Sequence, residues 1–344
     1  MNENALHDIA IQLVAQQKGM LAMDESIPTC NARFKALGMA ETVKMRRRYR
    51  ELLLCTPDIN HSISGVILCD ETFSQSRDDG KKFIDLLSDL NIICGIKVDT
   101  GAKDLAGFPG EKLTQGLDGL RERLQIYWHE GARFAKWRAV FKIGVGTPSD
   151  TCIASNAQQL AIYAALCQEC GLVPVIEPEI VVDGAHTLQQ CADVSERVWE
   201  SVFHQMHLHR VFLEGLILKT NMLLPGSDAA VSAGVNEIAA STVESLLRHV
   251  PACVPGIAFL SGGQTPEQAS QRLNAINAGY KALTPWPMTF SFSRAIQQPV
   301  LATWLGLENN SVAAQQVLSL RISCNKAALK GNYHSAMESA GLFN

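Results

Sequence analysis

FLEGLILKTNMLLPG, residues 212–226, opens as an apolar run and closes on turn chemistry. Leu213, Leu216, Ile217 and Leu218 read as a short buried strand, and Asn221, Pro225 and Gly226 supply residues that end one. Lys219 is therefore expected at the C-terminal end of that strand. Two readings are open for it. Its stem can snorkel from a sheet edge so that the ammonium reaches water, or its amine can be held where it attacks a carbonyl carbon.

Seven further runs of the same kind accompany this one. They are GMLAMDES (19–26), SGVILCDE (64–71), IICGIKVD (92–99), FAKWRAVFKIG (134–144), GLVPVIEPE (171–179), GIAFLSGG (256–263) and MTFSFSRA (288–295). Between them lie longer segments with helical periodicity, such as AQQLAIYAALCQEC (157–170) and NEIAASTVESLLRHV (236–250). Strand then helix, repeated, builds a parallel sheet. Eight such units without a low-complexity linker predict a single closed (β/α)₈ barrel, a TIM barrel, over residues 1–344. No GxGxxG follows the first run to favour an open dinucleotide-binding sheet. Helices outside the eight units are expected over the first 18 or so residues, over 41–54 and over 311–330, with a helical C-terminal region from about 305 to 344. The arginines of ETVKMRRRYRELLL (Arg46, Arg47, Arg48, Arg50) read as a solvated helix face alternating with apolar contacts.

Composition narrows the partners. A hydrophobic fraction of 47% with 19% charged residues fits a globular protein with a large core, and a net charge of −4 disfavours a nucleic-acid-binding face. The opening MNENALHDIAIQLVAQQKGM resembles neither a secretory signal nor a transit peptide, and no run is long enough to span a membrane. The ten cysteines are scattered through apolar segments, as reduced core residues are, so a cytoplasmic location is expected. Cys167 and Cys170 form a CxxC without a second pair to complete a zinc site. His204, His207 and His209 gather at one predicted helix end and not at several strand ends, so no metal site is expected.

In a barrel, function belongs at the C-terminal ends of the strands, and here those ends are charged. The first run ends in Asp24, the third carries Lys97, the fourth Lys136 and Arg138, the fifth Glu177 and Glu179, and the sixth Lys219. Residues two apart project from one strand face, so each of the two pairs points the same way. Buried charges drawn from several strands cost too much desolvation to serve only as core. To act as a nucleophile a lysine must favour its amine over its ammonium by roughly 4 kcal/mol more than in water. The neighbours Leu216 and Leu218 and a second cation such as Lys136 are the available means. Glu177 and Glu179 suit the proton transfers as water leaves a carbinolamine, and Asp24 suits removal of a substrate hydroxyl proton. The last two runs end in Ser261-Gly262-Gly263-Gln264 and Ser291-Phe292-Ser293-Arg294. Backbone N–H groups freed by the glycines, with Arg294 after the next strand, predict a phosphate site. Ser26, Thr29 and Lys97 are placed to hold another anion across the mouth.

Taken in order, LAMDES, GVILCDETF, GIKVDTG, TQGLDGL, FAKWR, VPVIEPEI, LEGLILKTNM, FLSGGQ, LNAIN and TFSFSRA resemble the class I fructose-bisphosphate aldolases over nearly the whole chain. The strings look more like those of bacterial members than animal ones. The resemblance implies reversible cleavage of fructose 1,6-bisphosphate to dihydroxyacetone phosphate and glyceraldehyde 3-phosphate, in glycolysis and gluconeogenesis, with neither metal nor other cofactor. By the same resemblance Lys219 is the Schiff-base lysine and Glu177 the main acid/base. Asp24 takes the C4 hydroxyl proton, and Lys136, Arg138 and Glu179 complete the charged network. Ser261, Gly262 and Arg294 would hold the C1 phosphate, with Ser26, Thr29 and Lys97 toward the C6 phosphate and Arg33 nearby; Ser291 is a further residue expected to bind substrate or its phosphates. A homotetramer acting on phosphorylated sugars, with no nucleic-acid or membrane partner, is the family expectation.

Three departures from the animal pattern stand out. IPTCNARF follows Asp24-Glu25-Ser26 in place of a Thr-Gly-Ser/Thr turn, and Ser293 replaces the family's usual glycine beside the arginine. The sequence given closes on GLFN, without the family's longer tail ending in the tyrosine that transfers a proton on the enamine, so either another group is expected to do this or the step is expected to be slower; Tyr333 lies too early for that role. Two rival readings are a ketose aldolase preferring monophosphates and a scaffold that kept the barrel without the chemistry.

Overall fold

A computed structural model of the chain describes residues 2–15 and 17–340, so the closing GLFN lies outside the described residues. Eight parallel strands form a closed barrel: β1 (Gly19–Met23), β2 (Ile63–Leu68), β3 (Ile93–Lys97), β4 (Phe134–Phe141), β5 (Val173–Ile180), β6 (Ile217–Asn221), β7 (Ile257–Leu260) and β8 (Met288–Phe292). Each pairs with its neighbours in sequence, and β8 closes on β1 through Met20 against Ser291. The eight runs read from the sequence are these eight strands. The outer ring contains the helices Asp150–Glu169, Leu188–Leu208, Val235–His249 and Pro266–Tyr280. Capping boxes start two of them: Thr187 with Gln190, and Thr265 with Gln268 before Pro266. Helices Arg294–Trp304 and Ser311–Leu329 follow the last strand.

The N-terminal helix Glu3–Val14 closes the bottom of the barrel. Its buried Leu6, Ala10 and Leu13 recur at helical spacing and join Met20, Ala22, Ile67, Phe134, Val173, Val175, Ile217 and Ala258 in one apolar cluster. The approach is close enough to require glycine beneath it. A Cβ on Gly65 would lie 2.7 Å from the Leu13 side chain, and one on Gly256 2.7 Å from Val14. Burying each of these leucines stabilises the fold by about 1.5–3 kcal/mol. The barrel therefore has an apolar floor, and its charged residues are confined to the other end.

Two expectations need correction. The sixth strand does not begin near Phe212: Leu213–Gly215 is a 3₁₀ turn, and Lys219 is the third of five strand residues. The reason lies 44 residues away. Gln168 accepts a hydrogen bond from the Phe212 N–H at 2.9 Å and donates to the Phe212 carbonyl at 2.7 Å, so this backbone has its partners without a neighbouring strand. Nor is the arginine-rich face of helix Val43–Leu54 wholly solvated, because Arg46 and Arg50 are buried. Arg46 donates to both oxygens of Glu71, at 2.7 and 2.6 Å, and to Asn31 at 2.9 Å. Arg50 pairs with Glu25 at 2.6 Å. Arg47 and Arg48 remain partly exposed.

One element was not anticipated. After β3, Gly101–Asp104 and Lys112–Gln115 form an antiparallel hairpin at the mouth of the barrel, reversed through Gly107 and Gly110, both at a φ of 82°. Thr114 fixes it to the barrel by donating from Oγ1 to the Arg138 carbonyl at 2.7 Å.

Candidate active site

Strand alternation sends Lys136 and Arg138 of β4, Glu177 and Glu179 of β5 and Lys219 of β6 into the barrel. The register sets Arg138 beside Glu177 and Ile176 beside Leu218; one step further along that second pairing brings Glu177 next to Lys219. A chain of charge results. Lys219 Nζ lies 2.8 Å from Glu177 Oε1, Lys136 Nζ lies 2.9 Å from Glu177 Oε2, and Lys136 Nζ lies 2.6 Å from Asp24 Oδ2. Lys136 and Lys219 are each only 3% exposed.

Leu218, offered from the sequence as an apolar neighbour of Lys219, lies instead on the other face of the pleat. With Leu216 it packs in the large cluster around the barrel, while Lys219 stands above the layer of Val175, Ile217 and Ala258. Burial disfavours charge on Asp24, Glu177 and Lys136, but the opposite charges outweigh it. Burial opposes the Asp24 carboxylate, yet Lys136 and then Lys219 hold its pKa well below the usual range. Burial likewise opposes the Glu177 carboxylate, and Lys136 and Lys219 again lower its pKa. The Lys136 ammonium loses hydration too, but Asp24 and Glu177 raise its pKa above the ordinary lysine value.

A second network lies above the first. Arg138 Nε donates to Glu179 at 2.6 Å. Lys97, the last residue of β3, meets Asp99 at 3.1 Å, and Asp99 also accepts from the N–H groups of Gly101 (3.2 Å) and Arg138 (3.3 Å).

The two groups of expected phosphate ligands sit on different walls. On one wall, Ser261 and Gly262 follow β7, and Gly263 turns the chain at a φ of 72°. Arg294 opens the 11-residue helix after β8 and lines the cavity, and the first N–H groups of a helix favour anions. The Ser291 Oγ between them is buried and has no protein partner. On the other wall, Ser26 caps helix Ile27–Ala36, with its Oγ 2.9 Å from Thr29 Oγ1. Arg33 on that helix pairs with Glu25 at 2.6 Å.

All fourteen residues singled out from the sequence line one cavity of 920 Å³ at the C-terminal end of the barrel. A second cavity, of 890 Å³, lies among helices Val235–His249 and Pro266–Tyr280 and contains none of them. Sequence reasoning missed the carboxylates Glu25 and Asp99, although both sat inside quoted strings, and missed Lys103 of the hairpin, which also lines the cavity. It noted Ser293 only as a replacement for the family's usual glycine. The side chain donates from Oγ to Glu25 at 2.8 Å, tying the start of the Arg294 helix to the carboxylate that holds Arg33.

Comparison with known proteins identifies the family and the fold. The family model "Fructose-bisphosphate aldolase class-I" matches residues 5–342. A probable fructose-bisphosphate aldolase class 1 of Xanthomonas campestris pv. campestris is 48% identical over 97% of this chain and 99% of its own length. The cytosolic fructose-bisphosphate aldolase 6 of Arabidopsis thaliana is 49% identical over 92% of this chain and 88% of its own. Among solved structures, a Plasmodium falciparum fructose-bisphosphate aldolase, in complex with TRAP and a small-molecule inhibitor, superposes with a TM-score of 0.95 at 43% identity, covering 97% of this chain and 96% of that one. With a closed parallel barrel, a buried lysine paired to a glutamate inside it and a family match over nearly every residue, the chain belongs to the class I fructose-bisphosphate aldolases.

Proposed function

We propose that the chain cleaves fructose 1,6-bisphosphate reversibly to dihydroxyacetone phosphate and glyceraldehyde 3-phosphate through an imine on Lys219. The observation that carries the assignment of residues is the Lys219–Glu177–Lys136–Asp24 chain, each link within 2.9 Å, at the floor of the cavity. Glu177 takes a proton from Lys219, 2.8 Å away, which frees the amine to attack the C2 carbonyl, and passes that proton to the departing hydroxyl as the carbinolamine loses water. The resulting iminium accepts the electron pair of the C3–C4 bond, giving an enamine, while Asp24 takes the proton of the C4 hydroxyl and the aldehyde leaves. Protonation at C3 and hydrolysis, with Glu177 again moving protons, release the ketone. Lys136 stays charged throughout and keeps Asp24 and Glu177 ionised when they are to act as bases.

Ser261, Gly262, Ser291 and Arg294 hold the C1 phosphate; Ser26, Thr29 and Lys97 face the C6 phosphate with Arg33 behind them. Gripping both ends fixes the open-chain sugar with C2 over Lys219. Arg138 and Glu179 hold the wall between. The chemistry needs no metal, because the iminium itself is the electron sink. The same reading has the protein working in the cytoplasm as a homotetramer. The Arabidopsis relative is designated cytosolic, and among the described residues no helix is long and apolar enough to cross a membrane.

Borohydride reduction in the presence of dihydroxyacetone phosphate and a chelator, followed by peptide mass spectrometry, tests the assignment. A reduced adduct on Lys219 is expected. An adduct on another lysine, or none, overturns the mechanism and restores the scaffold reading.

A further inference from the structure

Seven cations and five carboxylates line the cavity. Five of the cations have carboxylate partners: Lys136 and Lys219 share Glu177, Lys136 also meets Asp24, Arg138 meets Glu179, Lys97 meets Asp99, and Arg33 shares Glu25 with Arg50. Among the described residues the other two, Arg294 and Lys103, have no carboxylate within ion-pair distance. They stand on different walls. Arg294 follows β8, and Lys103 lies on the hairpin that follows β3, with β1 and β2 between.

We propose that Lys103 determines specificity for a second, distal phosphoryl group of the substrate. This rests on the reading of the substrate as a bisphosphate whose first phosphate is held at Arg294. A cation already neutralised by a carboxylate must share its charge with an incoming anion, whereas an unpaired one offers all of it. On the distal wall Lys97 and Arg33 are of the first kind and Lys103 is of the second. The hairpin is fixed in position for this role. Thr114 Oγ1 donates to the Arg138 carbonyl at 2.7 Å, and Asn156 accepts from the Thr114 N–H at 3.2 Å and donates to the Lys112 carbonyl at 2.8 Å. The carboxylate next in sequence does not neutralise Lys103, because Asp104 pairs with Lys112 directly opposite it in the hairpin register. The side chain remains solvent-exposed, so it meets a dianion through screened charge and also attracts it on approach.

Steady-state cleavage of fructose 1,6-bisphosphate and of fructose 1-phosphate is to be measured with the full chain and its K103Q, K103E and K103R variants. K103Q is expected to raise KM for the bisphosphate about tenfold and K103E about a hundredfold, as one screened charge and its reversal do against a dianion. KM for the monophosphate should move less than twofold, and K103R should restore the bisphosphate value. Equal shifts for both substrates, or a K103E variant with an unchanged bisphosphate KM, overturn the proposal while leaving the bisphosphate reading intact. If the unsubstituted protein cleaves both sugars with equal efficiency, the bisphosphate reading itself falls, and Lys103's role with it.

Discussion

Replacing Glu25 by Gln removes the charge from a deeply buried ion pair beside the cavity while keeping the side chain's shape. Arg50, with its side chain 2% exposed, then loses the carboxylate at 2.6 Å and retains Gln297 Oε1 at 3.2 Å and the face of Tyr49. Leaving one partner of a buried pair uncompensated costs about 3–5 kcal/mol. With 344 residues at roughly 2.1 cal/mol/K each, the unfolding entropy is about 0.7 kcal/mol/K, so Tm should fall by about 4–7 °C. Differential scanning calorimetry at fixed protein concentration reads this directly. The double variant E25L/R50M, which removes both charges and fills the space with apolar groups, should recover most of the loss. An E25Q protein that melts within about 1 °C of the parent would refute the reasoning, since a buried guanidinium losing its counter-ion cannot be that cheap. A double variant no more stable than E25Q would show that the cost lies elsewhere, for instance in the contacts from Ser293 and Gln297 to the same oxygen of Glu25.

Asp24→Asn should separate the two halves of the reaction. Cleavage kcat falls by about 10²–10⁴ when a general base is lost, but borohydride still traps dihydroxyacetone phosphate on Lys219; loss of the adduct as well would move Asp24 into imine formation. Leu13→Ala, beneath the barrel, should cost about 2–5 kcal/mol in urea unfolding and leave KM for the bisphosphate unchanged, and a KM shift would mean that the floor sets the site's geometry. Acid should also destabilise the fold. Asp24, Glu25 and Glu177 have folded pKa values below their unfolded ones, so their contribution is present above about pH 4.5 and is lost as pH falls through the folded values. Chemical denaturation series should be flat from pH 5 to 8 with respect to these groups and fall below about pH 4; a loss beginning near pH 6 would point to a histidine instead.

How much of this was legible in the sequence depends on whether the deciding signal was local. Lys136 with Arg138, and Glu177 with Glu179, announce their shared face through a spacing of two, and the structure turns both pairs into the barrel. The start of β6 was misread because Gln168, far away in sequence, satisfies the backbone of Phe212. Arg46, Tyr49, Arg50 and Leu53 have the spacing of a single helix face, but an arginine on such a face reads identically whether water or Glu25 lies opposite. Only the fold brings Glu25 and Glu71 there. The hairpin escaped for another reason. Across Gly101–Asp104 and Lys112–Gln115 only Thr114 is buried, so no apolar alternation betrays the strands. With the hairpin went Lys103.

Charge buried for chemistry is a weak source of stability, because desolvation offsets most of the attraction between partners. The barrel accommodates Asp24, Lys136, Glu177 and Lys219 by keeping them above a separate apolar layer. Ile217 lies two residues before Lys219 and Val175 two before Glu177 on the same inward face, and both pack with Leu6, Ala10 and Leu13 from the N-terminal helix. The period of two that aims the charges upward into the cavity thus also lays down the floor that stabilises the strands carrying them. Fold energy and chemistry are divided along the barrel axis, although each strand contributes to both. Leu13→Ala and Asp24→Asn probe the two ends of that division. If it holds, the first lowers stability without altering the reaction and the second alters the reaction while removing only one carboxylate's share of stability.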